Sequence, residues 1–218
     1  PRPRADRSSV VLTLAYGAYG GFMVGWSSLF QTMLGPLGIR EAAVGWMGFG
    51  NNLAANVAGI AAGRLIDRCF RHRLKAAILA GASGNLACLA WFALSLPCCG
   101  VRAPGSILPR SDWSLAAALT LAGAFQGVLE PLCFELAAEL MYPAKESTSA
   151  GVLVLLLNVF AGIMISADTV LDATDMNYIM VAAVLAVLLG ILFGVKEEYR
   201  RPQDGAACAM GLQPLSSE

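Results

Sequence analysis

Apolar residues run through this chain in long blocks rather than at the alternating spacing of strands. Six blocks reach roughly the 20 residues needed to cross a hydrocarbon core about 30 Å thick. They predict helical spans over 10–34, 43–63, 74–96, 113–141, 147–167 and 176–195. Punctuation agrees with these limits: "GPLG" follows the first block, Pro97 closes the third, and Pro143 stops the fourth. The hydroxyls of "KESTS" stand ready to cap the fifth. The polar segments 1–9 and 196–218 flank the bundle, and the second is expected to be a disordered tail. This pattern predicts an all-α, six-helix polytopic membrane protein.

Composition supports that reading. Apolar residues make up 57% of the chain and charged residues 14%, against about a quarter in soluble domains. Net charge is zero, which gives no reason to expect nucleic acid as a partner, but the distribution is lopsided. Arg2, Arg4, Arg7, the Arg64–Lys75 group, Lys145, Lys196, Arg200 and Arg201 fall on one side, and only Arg40, Arg102 and Arg110 on the other. The positive-inside bias then places both termini in the cytoplasm. The first apolar block is too long for a signal peptide and lacks a small-residue cleavage pattern. The chain starts without methionine, so it is expected to be the back part of a longer protein. Six cysteines without CxxC spacing predict neither a metal site nor a disulfide framework, and no cofactor is expected.

The second connection reads "GRLIDRCFRHRLKA". Its Gly63, Leu65, Asp67, Arg68, Arg71 and Arg73 resemble the G-x-L-x-D-R-x-G-R-R loop of the major facilitator superfamily, with Phe70 in place of a glycine. "GWMGFG" at Gly45–Gly50, "FELAAELMYP" and "ESTSAG" narrow the resemblance to the feline leukaemia virus subgroup C receptor-related family. The "GW" at Gly25–Trp26 and the "N" and "F" of "LLNVF" are most similar to a lysosomal-membrane member of that family. The likeness runs through the sixth span and matches the second half of a twelve-helix fold. It implies a secondary transporter of a small organic solute, either a choline- or ethanolamine-like cation or a pyridoxine-like vitamin. It further implies a missing N-terminal six-helix half as partner, a coupled proton, and residence in a lysosomal or plasma membrane.

Transporters of this kind hold substrate near the bilayer midplane. Asn158 lies eleven residues past Ser147, ~16 Å along a helix at 1.5 Å per residue, and aligns with a substrate-contacting amide of relatives. Asn52 and Asn56 share a helix face, Gln126 is central in the fourth span, and Trp26 offers a cation–π surface. Trp26, Asn52, Gln126, Glu130 and Asn158 are therefore the candidate substrate-binding residues.

The block "EPLCFELAAELMYP" adds three carboxylates. Glu135 and Glu139 lie near its cytoplasmic end and, by resemblance, join Gly63, Asp67, Arg68 and Arg71 in a gating latch. Glu130 lies ~20 Å from Pro143 and no family role attaches to it. An intramembrane carboxylate implies function, so Glu130 is expected to face the cavity as a counter-charge or proton site. "GASG" at Gly81–Gly84 mimics an intramembrane protease motif, but His72 is the sole histidine and lies in a loop, so no enzyme is predicted. A non-transporting scaffold, a receptor-like pseudotransporter or an inactive fragment remains the alternative.

Overall fold

The structure is a computed structural model that describes residues 7–65, 74–96, 108, 111–142, 144–171 and 173–195. Among these residues every regular element is helical: α1 (Arg7–Ser28), α2 (Phe30–Leu34), a 3-10 turn (Gly35–Leu37), α3 (Glu41–Leu65), α4 (Leu74–Leu94), α5 (Asp112–Leu140), α6 (Glu146–Ala167) and α7 (Ala173–Gly194). Asp67, Arg68, Arg71 and the tail lie outside the described residues.

Five helices (α1, α4, α5, α6 and α7) are long and apolar enough to cross a membrane. In a bilayer the lipid tails are as apolar as the side chains, so close packing and interhelical hydrogen bonds hold such helices together. Helix α3, interrupted by Asn51, Asn52 and Asn56, is not among these five.

The first block, expected as one span over 10–34, is broken in the structure at Leu29, which leaves the helix at φ −101° and ψ 10°. The hydroxyls of Ser27 and Ser28 both donate to the Val24 carbonyl at 2.9 Å and so compete with the helix ladder just before the break. The chain then turns into α3 through Gly38 at φ +78°, a left-handed conformation that costs glycine little.

Packing follows an internal repeat. Helix α1 lies mainly on α6 and α5 mainly on α3, while α7 supports α1 and α4 supports α5. Exchanging α1, α3, α4 for α5, α6, α7 therefore reproduces the same arrangement. The sequences at the two principal contacts match: Gly17-Ala18-Tyr19-Gly20-Gly21 on α1 and Gly123-Ala124-Phe125-Gln126-Gly127 on α5. A Cβ on Gly123 or Gly127 would collide with the carbonyl oxygen of Asn51 or Ala55 on α3, and one on Gly21 with that of Leu157 on α6. The glycines thus let backbone meet backbone.

Hydrogen bonds fasten these contacts. Asn51 donates to the Leu119 carbonyl and Asn85 to the Ala122 carbonyl, each at 2.8 Å. Lys75 reaches across from α4 to the Leu192 and Val195 carbonyls at 2.8 and 2.6 Å, closing the end of α7. Such bonds contribute about 0.6 kcal/mol each when measured within membranes.

Candidate functional site

A groove of about 550 Å³ runs along the contact between α3 and α5 and is bordered on α1 by Val24. Helix α3 contributes Asn52, Asn56, Gly59 and Ile60; α5 contributes Gln126, Glu130, Pro131 and Phe134. Both polar pairs follow from i,i+4 spacing, which stacks Asn52 under Asn56 and Gln126 under Glu130 on facing helices. The structure therefore brings together three expected residues, Asn52, Gln126 and Glu130.

The groups in this groove are mostly acceptors. The Asn52 amide N–H donates to the Gly48 carbonyl at 3.0 Å, and that of Asn56 to the Asn52 carbonyl at 2.8 Å. Each amide thereby commits a donor to its own helix and keeps its Oδ1 uncommitted. Pro131 has no N–H, so the Gly127 carbonyl has no i+4 donor in α5. That carbonyl oxygen faces Gly59, where a Cβ would stand 3.1 Å away. Glu130 is exposed toward the groove and makes no hydrogen bond or ion pair with a described residue.

Two smaller spaces adjoin. One, of about 50 Å³, lies behind Gln126 and Glu130, bordered by Tyr16, Tyr19, Gly20 and Val24 of α1 and Leu157 of α6. In the internal repeat Gly20 corresponds to Gln126 and Val24 to Glu130, so this space lies where equivalent segments of α1 and α5 meet. The buried Tyr19 hydroxyl has no hydrogen-bond partner there among the described residues. The other, of about 360 Å³, continues past Pro131 and Phe134 between α5 and α6 to Glu135, Glu146 and Ser147. Glu139 is half-buried one turn beyond Glu135.

Trp26 departs from expectation. It is 1% exposed, it does not border the groove, and its Nε1 donates to Asn177 Oδ1 at 2.8 Å. Phe30 and Phe92 pack edge-on to its ring at 4.9 and 5.3 Å. Depth in the span suggested a cavity position, but rotation about the α1 axis turns the indole into the protein interior. Asn158 is exposed on α6 next to Leu157 and outside the groove, its amide N–H bonded to the Val154 carbonyl at 2.8 Å. A Cβ on Gly63 would meet no described atom within 4 Å, and the connection it opens lies outside the described residues.

Four contributors escaped the sequence reading. Asn177 had no motif to mark it. The Gly127 carbonyl could have been found, since a proline four residues later always removes its donor. Tyr19 could have been found from the G-A-[YF]-x-G repeat, and Tyr16 lies one residue before it. No three His, Cys, Asp or Glu side chains among the described residues converge as a metal site requires.

No family model matches the chain. It is 30% identical over 184 residues to "Solute carrier family 49 member 4 homolog" of Xenopus tropicalis, covering 84% of this chain and 39% of that protein. It is 31% identical over 156 residues to the protein of the same name from Xenopus laevis, covering 72% of this chain and 33% of that one. The chain is a multi-pass membrane protein similar to solute carriers. It spans about two fifths or less of the length of these relatives.

Proposed function

We propose that the protein is a secondary transporter that moves a small organic cation by alternating access, with the α3–α5 groove as its part of the substrate site. The observation that carries this reading is Glu130, an intramembrane carboxylate that faces a polar groove and has no ion-pair partner among the described residues. Such a charge is costly in a membrane and is retained where it meets an ion or a solute. The solute-carrier names of the similar proteins support transport. Asn52 and Gln126 orient the solute, and Asn158 reaches it from α6 in another conformation of the cycle.

The space beyond Phe134 is the path to one membrane face, taken as cytoplasmic from the distribution of basic residues. Glu135 borders this space and Glu139 lies one turn beyond Glu135; both act as latch residues for Asp67, Arg68 and Arg71, with Gly63 at the start of that connection. Both termini then lie in the cytoplasm, and a lysosomal or plasma membrane is the host. A proton carried by Glu130 is the proposed coupling ion, because this carboxylate has no ion-pair partner among the described residues. The other six helices of the transporter come from an N-terminal half.

The test is uptake of radiolabelled choline, ethanolamine and pyridoxine by the full-length protein in proteoliposomes. Flux of at least one compound above empty vesicles is expected, with a loss of tenfold or more for cations in Glu130→Gln. Flux that never exceeds empty vesicles would sink the transporter reading in favour of a scaffold.

A further inference from the structure

We infer that the groove selects a cation bearing N–H donors, a primary or secondary ammonium, over a quaternary one. This rests on the groove being the substrate site and goes further by naming what the site asks of the cation. A quaternary ammonium has no hydrogen-bond donor on nitrogen and is recognised through several open aromatic faces. A primary ammonium carries three donors and needs acceptors to replace the water it leaves behind.

The groove supplies the second set. Glu130 gives a carboxylate without a donor among the described residues, and Asn52 and Asn56 each keep an Oδ1 because a donor of each amide is committed to α3 carbonyls. The Gly127 carbonyl lacks its helical donor because Pro131 follows four residues later, and both residues border the groove. An amide or carbonyl oxygen left facing nothing but hydrocarbon is costly, so a donor-bearing cation is bound with an advantage that a methylated one forfeits. The Gln126 amide can present either end.

The aromatic set is missing. Among the described residues Phe134 is the one aromatic side chain bordering the groove, and its ring is held in an edge contact with Tyr16 at 5.4 Å and 71°. Tyr16 and Tyr19 border only the smaller spaces and are buried. Trp26, the strongest cation–π surface in α1, is spent on Asn177, Phe30 and Phe92. Recognition in this half therefore runs through oxygen acceptors and charge.

Graded N-methylation tests this directly. Binding of ethanolamine, N-methylethanolamine, N,N-dimethylethanolamine and choline is measured on purified full-length protein and on Glu130→Gln and Asn56→Leu. The expected result is a stepwise fall across the series of tenfold or more in total. Glu130→Gln weakens every member. Asn56→Leu, which keeps the helix, weakens ethanolamine several-fold and choline by much less. Choline binding as tightly as ethanolamine, with Glu130→Gln still weakening both, would overturn the donor preference and leave the groove as the site. Equal losses for both ligands in Asn56→Leu would overturn it as well. If no member binds and Glu130→Gln changes nothing, the site reading falls together with the inference.

Discussion

The indole N–H of Trp26 donates to the side-chain oxygen of Asn177 at 2.8 Å, joining α1 to α7 in a part of the bundle where both residues are buried. The bond gives Trp26 a structural task. Trp26→Phe keeps most of the packing but leaves the Asn177 oxygen without its indole donor, a cost of about 1–3 kcal/mol. Thermal unfolding in detergent should show that loss, with the ligand affinity of the surviving folded protein unchanged. An affinity loss at unchanged stability would instead return Trp26 to the binding site.

The glycines at the α3–α5 contact are demanding. In Gly127→Ala the added Cβ meets the Ala55 carbonyl, and backbone cannot yield as a flexible side chain can. The expected cost is about 1–3 kcal/mol or more, as for overpacked cores. Gly45 is the internal control, because a Cβ there meets nothing within 4 Å and the residue is helical and exposed. Gly45→Ala should be neutral or raise stability by about 0.5–1 kcal/mol. Comparing the thermal midpoints of the two variants separates a packing requirement from a general dislike of glycine replacement.

The buried Tyr19 hydroxyl has no hydrogen-bond partner among the described residues, so the ring rather than the oxygen holds its place. Tyr19→Phe removes a polar atom that folding must desolvate. Stability should stay level or rise by about 1 kcal/mol. A clear fall in the unfolding temperature would mean that the hydroxyl is bonded in the folded protein.

Lys75 acts as a cap for a helix other than its own, donating to the Leu192 and Val195 carbonyls at the end of α7. These carbonyls have no helical donors among the described residues, and a cation suits the negative end of a helix. Lys75→Met preserves the side-chain length and should cost about 1–2 kcal/mol, since partial exposure screens the charge. Faster amide exchange over 188–195 is the accompanying signal.

Much of this architecture is readable from residues in order. Long apolar blocks must form helices because a lipid environment offers no outside partner for backbone polar groups, so each segment satisfies its own. The facing of Asn52 with Asn56, and of Gln126 with Glu130, needed only the helical period. Glu130 stood out because a carboxylate deep in an apolar block has no bland explanation.

Rotation about each helix axis was another matter. Apolar residues surround α1 on all sides, so no face of it marks the protein interior. Depth along the span placed Asn158 about halfway and Trp26 in the middle-to-outer part of its helix, but neighbours decide which way they point. Phe30, Phe92 and Asn177 draw Trp26 inward, and the packing of α1 on α6 leaves Asn158 exposed outside the groove. By itself the sequence determined that this protein is a bundle of apolar helices carrying one isolated deep carboxylate. Only the tertiary structure decided which amides join that carboxylate, because the side chains sharing a groove depend on where glycine lets two backbones touch.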